Sequence, residues 1–202
     1  MSNIKLAIVG ATGAVGREFL RILAEQQFPA ENLFLVASSK SAGKAIKYFE
    51  KIIEIEDLQH FDFSKASVAF FSAGSSVAES HASQAIEKGC TVIDNSSFFR
   101  NRDDLELIVP EVNGSRLEDL NLPAIIANPN CSTAQMVVAL KPFHDLFKIK
   151  RVDVATYQSV SGTGQSASEE LKEQSRKILD GEEHSNNAVS YTHLTLPTIS
   201  SV

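Results

Sequence analysis

The stretch "IKLAIVGATGAVGREFLRILAEQQ" (residues 4–27) runs from a short apolar, β-rich segment through a glycine-rich turn into helical spacing. Gly10, Gly13 and Gly16 stand at i, i+3 and i+6, closing a strand and opening a helix on which Val15, Phe19, Ile22 and Leu23 share a face. Only glycine lets a backbone turn tightly and approach a pyrophosphate closely, and the helix N-terminus then faces that anion. The spacing is a variant of G-x-G-x-x-G. Its strand–turn–helix context raises it above an ordinary βα turn and points to a dinucleotide.

The segments that follow repeat the alternation. Strands are expected at 32–39, 66–74, 90–97 and 124–129, and helices at 75–89, 131–147 and 165–181, with Pro142 kinking or ending the second of these. Residues 46–58 alternate in parts and read as two short strands, while 150–162 reads as one long strand. This pattern predicts an α/β fold: a doubly wound, Rossmann-type parallel sheet with helices on both faces. A dinucleotide-binding domain is expected over 1–130.

Composition narrows the function classes. The chain has 202 residues, 43% of them hydrophobic, enough for a packed core. A net charge of −6 argues against a nucleic-acid partner. No apolar run is long enough for a transmembrane helix, and the N-terminus is a poor signal peptide. Two cysteines, with no CxxC or Cys/His ligand spacing, exclude a disulfide framework and give no metal site. A reducing cytoplasm is the expected compartment.

The second strand decides which nucleotide. An NAD-binding fold places a carboxylate at its end, for the ribose 2′-OH. Here the residues are Ser38, Ser39, Lys40 and Ser41. Hydroxyls and a lysine suit a 2′-phosphate, so NADP is favoured over NAD, against the plainer reading of a solvated loop.

One cysteine is placed unusually. "NPNCST" (128–133) breaks a strand and sets Cys131 at the first turn of a helix, where unpaired N–H groups favour a negative sulfur. This makes Cys131 a candidate nucleophile, whereas Cys90, beside Val92 and Ile93, reads as a small core residue. Arg100, after a polar strand end, is either an anion clamp or a surface arginine paired with Asp103 or Asp104. Gln158 either hydrogen-bonds a carbonyl or water, or is an ordinary strand residue. Histidines 60, 81, 144, 184 and 193 stand in no evident relation to Cys131.

Six motifs in order, "IVGATGAVG" (8–16), "FSAGSS" (71–76), "DNSSFFR" (94–100), "VPEVN" (109–113), "NPNCST" (128–133) and "YQSVSGTG" (157–164), resemble bacterial aspartate-semialdehyde dehydrogenase. The related N-acetyl-glutamyl-phosphate reductase is the alternative enzyme, and an NADP-binding module with an inert Cys131 is the non-catalytic one. The resemblance implies that Gly10, Thr12, Gly13, Ala14 and Val15 hold NADP, with Ser38, Lys40 and Ser41 at the 2′-phosphate and Ser161 and Gly162 on the nicotinamide side. It makes Cys131 the acyl-thioester nucleophile and Gln158 the residue that orients the acyl group. Arg100 and Asn130 bind substrate and phosphate. The implied reaction converts aspartyl phosphate to its semialdehyde, on the way to lysine (through diaminopimelate), threonine and methionine, in a homodimer. The resemblance also implies that a second α+β catalytic and dimerisation domain begins at 131 and runs to 187, before a tail over 188–202. The family's second half carries a lysine, an arginine and a general-base histidine that match nothing here, and the stretch from 188 departs from the pattern. The expectation is therefore a truncated chain that binds nucleotide but does not turn over.

Overall fold

The computed structural model describes residues 4–182, which divide into two compact units with the boundary between Ile149 and Lys150. The first holds an eight-stranded sheet in the order β3-β4-β2-β1-β5-β6-β8-β7. Its strands are β1 (Leu6–Val9), β2 (Leu33–Ala37), β3 (Ala45–Tyr48), β4 (Lys51–Asp57), β5 (Val68–Phe71), β6 (Thr91–Asp94), β7 (Glu106–Leu107) and β8 (Ile125–Ala127). Every pairing is parallel except the β3–β4 hairpin. The hairpin accounts for the mixed pattern of 46–58.

The central strands read as unbroken apolar runs because both sheet faces are covered. Side chains alternate between two cores. Ala7, Val9, Phe71 and Val92 join Phe61, Phe63 and the alanines of α2 (Ser75–Glu87), namely Ala78, Ala82 and Ala85, on one face. Leu6, Ile8, Leu33, Leu35 and Phe70 join Leu20 of α1 (Ala14–Glu25) on the other, with Phe19 and Leu23 packed against them. Helices on opposite faces make the sheet doubly wound, and strand order reverses at β1, the switch point at which such folds bind ligands.

The rotation of α1 differs from expectation. Gly16 and Leu20 are buried, while Val15 and Ile22 are exposed, because Gly16 rather than a large side chain faces the preceding turn. A short α3 (Pro110–Asn113) follows β7, and α4 (Cys131–Phe147) continues through Pro142 rather than ending there. Among the described residues no helix is long and apolar enough to cross a membrane.

In the second unit the expected strand over 150–162 is not formed. Residues 150–159 are irregular, a 3₁₀ turn covers Val160–Thr163, and α5 (Gln165–Leu179) follows. A strand exists by pairing, and no other strand is present among this unit's described residues. Val152 and Val154, which made the alternating pattern, are both exposed. The stretch 188–202, with His184 and His193, lies outside the described residues.

Candidate active site

The C-terminal ends of β1, β5, β6 and β8 lie side by side, so the loops that follow them share one edge of the sheet. After β1 the chain turns through Gly10, at φ +91°, whose N–H donates to the Val36 carbonyl at 2.8 Å. A Cβ on Gly10 would stand 2.9 Å from the backbone of Ser72, and one on Gly16 would stand 2.3 Å from the Gly10 carbonyl oxygen. Helix α1 begins with no side-chain cap and no acidic residue in its first turn, so side chains leave its first N–H groups to an anion. The backbone cradle and the uncapped helix together fit a dinucleotide pyrophosphate. Thr12 is half-buried, and Gly13, Ala14 and Val15 are exposed at the mouth of this turn.

Beyond β2 the chain folds back sharply, Ser41 N–H donating to the Ser38 carbonyl at 2.8 Å, and leaves Ser38 and Lys40 exposed. One feature escaped the sequence reading. Asp57 ends β4, in register with Ala37 at the end of β2, and its carboxyl is held below the usual range by the Gln59 N–H and the Ser39 hydroxyl. A carboxylate therefore stands beside the serine–lysine turn although none follows β2 in sequence.

Past β6, Asp94 is fully buried. It accepts from the Ser96 N–H at 3.1 Å and hydroxyl at 2.7 Å, which shapes the loop carrying Arg100. Burial raises the Asp94 carboxyl above its usual range, and the Ser96 bonds oppose this in part. Arg100 is half-buried; it donates from Nε to the Asn128 carbonyl at 2.8 Å and from Nη2 to the Asn95 carbonyl at 3.0 Å. The surface pair considered for it belongs instead to Arg102 and Asp104, at 2.8 Å.

Past β8, Pro129 is buried and Asn130 caps α4, its Oδ1 accepting from the Ser132 N–H at 3.0 Å and the Ser132 hydroxyl at 2.7 Å. Cys131 is the first residue of the helix and is exposed, with Sγ 3.8 Å from Asn130 Oδ1. Cys90 is wholly buried, and desolvation pushes its thiol up to about 11. Iodoacetamide at pH 7 should therefore label Cys131 at least about a hundredfold faster than Cys90. Equal labelling, read by mass spectrometry of the two peptides, would contradict this arrangement.

The first unit thus brings the glycine turn, the Ser38–Ser41 turn, Arg100, Asn130 and Cys131 to one sheet edge. Gln158, Ser161 and Gly162 are exposed in the second unit, where Gln158 Nε2 donates to Thr156 Oγ1 at 3.2 Å and the Ser159 and Ser161 hydroxyls are 2.7 Å apart. His60 is exposed, His144 half-buried, and His81 Nδ1 is buried with no hydrogen-bond partner in the described structure.

Residues 5–120 match the model for the semialdehyde dehydrogenase NAD binding domain, and residues 140–195 that for the semialdehyde dehydrogenase dimerisation domain. The aspartate-semialdehyde dehydrogenase of Legionella pneumophila is 50% identical over 179 residues, 89% of this chain and 52% of that protein. The crystal structure of aspartate semialdehyde dehydrogenase II from Vibrio cholerae, complexed with ASA, superposes with a TM-score of 0.85 at 44% identity, covering 93% of this chain and 56% of that one. An aspartate semialdehyde dehydrogenase from Candida albicans, solved with NADP, superposes with a TM-score of 0.58 at 28% identity, covering 73% and 48%. The chain spans about half the length of the curated relatives it matches. With the glycine turn, the capped cysteine and the arginine-bearing loop on one edge of a doubly wound sheet, and with these matches along nearly its whole described length, the chain belongs to the aspartate-semialdehyde dehydrogenase family.

Proposed function

We propose that this chain supplies the nucleotide-binding part and the nucleophile of an NADP-dependent aspartate-semialdehyde dehydrogenase. The observation that carries the reading is an exposed thiol on the first residue of α4, on the same sheet edge as the glycine cradle. In this reading residues 1–130 bind the nucleotide, and the catalytic and dimerisation part begins at residue 131. A ligand laid across the ends of β1, β5, β6 and β8 crosses three strand spacings, roughly 14 Å, and so joins turn to thiol.

The Gly10–Val15 turn holds the pyrophosphate. Ser38, Lys40 and Ser41 hold the 2′-phosphate, and Ser161 and Gly162 line the nicotinamide side. When bound, NADPH supplies the hydride. Cys131 attacks the acyl carbon of aspartyl phosphate; the C–S bond forms as the C–O bond to phosphate breaks, the thiol proton leaves with the phosphate, and a thioester remains on the sulfur. Arg100 and Asn130 bind substrate and phosphate, and Gln158 orients the acyl group. As the semialdehyde leaves, the C–S bond to Cys131 breaks, the carbonyl re-forms and the hydroxyl proton of the hemithioacetal passes to the sulfur, restoring the thiol. Two free thiols suit a reducing cytoplasm. Exposed Phe143, Leu146 and Phe147 on the last turns of α4, within the matched dimerisation segment, support a homodimer whose contacts cover apolar surface.

The cofactor assignment has its own test, sharpened by Asp57. Its carboxylate disfavours a 2′-phosphate and Lys40 favours one. NADP(H) should nevertheless bind this chain more tightly than NAD(H), and Lys40→Glu should weaken NADP(H) by roughly 1–3 kcal/mol, the scale of a charge-assisted hydrogen bond. Calorimetric dissociation constants for both cofactors decide it; equal affinities in the unmutated chain would remove the NADP assignment.

A further inference from the structure

We propose that Arg100 is a positioning residue for Cys131, whose guanidinium fork clasps the two loops that leave β6 and β8. This rests on the reading of Cys131 as the nucleophile, and it assigns to Arg100 a role separate from any bond to phosphate.

The argument starts where the ladder stops. The β6–β8 pairing ends at Asp94↔Ala127, and its last rung is the Asn128 N–H donating to the Asp94 carbonyl at 2.8 Å. Asn95 and Asn128 are the first residues beyond it, and their carbonyls have no ladder partner. The Arg100 fork takes the place of the next rung: Nε reaches the Asn128 carbonyl at 2.8 Å and Nη2 the Asn95 carbonyl at 3.0 Å. Asn128 Nδ2 adds a longer bond to Asn95 Oδ1 at 3.3 Å. The planar guanidinium is pre-organised to span two acceptors, which a lysine ammonium is not.

From Asn128 little slack remains before the sulfur. Pro129 has a fixed φ and is buried, and Asn130 is held by its cap on Ser132. Holding the Asn128 carbonyl therefore fixes the entry of the chain into α4, and with it the place of the sulfur, whose Sγ stands 3.8 Å from the Oδ1 of the capping Asn130. The partial positive end of a helix acts on a group only within its first turn.

The test compares the unmutated chain with Arg100→Lys and Arg100→Ala in phosphate-free buffer at pH 7. The readout is iodoacetamide labelling of Cys131, with Cys90 followed in the same sample as a sensor of opening of the fold. The clasp predicts that both variants label Cys131 about threefold or more slowly, while Cys90 stays unlabelled. Three results would overturn it. Arg100→Lys at the unmutated rate means that charge suffices and the fork does not matter. Unchanged or faster labelling in both variants means that the loop does not depend on Arg100. Labelling of Cys90 in both variants means that Arg100 supports the whole fold rather than the sulfur. Protection of Cys131 by added inorganic phosphate reads the phosphate-binding role separately. Alkylation needs no turnover, so the clasp and the catalytic assignment can fail independently.

Discussion

Gly16→Ala should destabilise the first unit by about 3 kcal/mol and abolish measurable nucleotide binding, although helix propensity alone predicts the opposite sign. Alanine in a helix interior is favoured over glycine by about 1 kcal/mol. Here the new Cβ would stand 2.3 Å from the Gly10 carbonyl oxygen and 2.9 Å from the Ala11 Cα. Both are backbone atoms of the turn itself, and neither can rotate away. The turn is fixed by the Gly10 and Ala11 N–H groups, which both donate to the Val36 carbonyl, so relief of the clash moves α1 away from the sheet or opens the turn. Overpacking a core costs about 1–3 kcal/mol where side chains can adjust, and rigid backbone puts this site at the upper end or above. Gly43→Ala supplies the contrast. Its φ is +77° but its Cβ would meet nothing within 4 Å. Its cost should be the conformational strain alone, about 1 kcal/mol. Denaturant unfolding and calorimetric titration with NADPH measure both variants. A Gly16→Ala chain at least as stable as the unmutated one, and still binding nucleotide, would show that the helix does not sit against the turn.

The same contact explains what the sequence left hidden in α1. Val15 and Ile22 share a face with Phe19 and Leu23 on a helical wheel, yet they are exposed, because the close approach of Gly16 sets the rotation. Strands β1, β2 and β5 were legible because burial on both faces makes them continuous apolar runs. Strand β7 was not, since two residues, one of them Glu106, carry no period. The strand expected over 150–162 failed for a different reason. Alternation records which faces could be buried, and pairing requires another strand. The site divides along similar lines. Asn-Pro-Asn before Cys131 is a local signal for a broken strand and a capped helix, and Asn130 does cap α4. The two carbonyls that the Arg100 fork bonds lie 5 and 28 residues away, and carbonyls leave no mark in a sequence. Asp57 reaches the Ser38–Ser41 turn only because β4 pairs with β2, a juxtaposition across the inserted hairpin.

The largest effect is expected at Cys131. Joined to the second half of the Legionella pneumophila relative, this chain should form NADPH from NADP and aspartate semialdehyde in a reaction that requires phosphate. Cys131→Ser in that protein should lower kcat on the order of 10³-fold or more, with NADPH affinity unchanged because the nucleotide turn is not touched. The reason is chemical. A hydride does not readily reduce a carboxylate, so the acyl group must first be carried as a thioester. A thiol is a few per cent ionised at neutral pH and intrinsically nucleophilic, whereas a hydroxyl needs a base to remove its proton. The Asn130 side chain beside the sulfur is not a base, and the cap engages its Oδ1 with Ser132. Cys90→Ala is the matching control: it removes the other thiol from a core position remote in role and should retain most of the rate. Phosphate dependence separates the acyl-phosphate chemistry from simple aldehyde oxidation. Without phosphate the thioester has no acceptor but water, and NADPH formation should stop near one equivalent per Cys131. Full activity in Cys131→Ser, with Cys90→Ala inactive, would move the nucleophile into the core and undo the assignment.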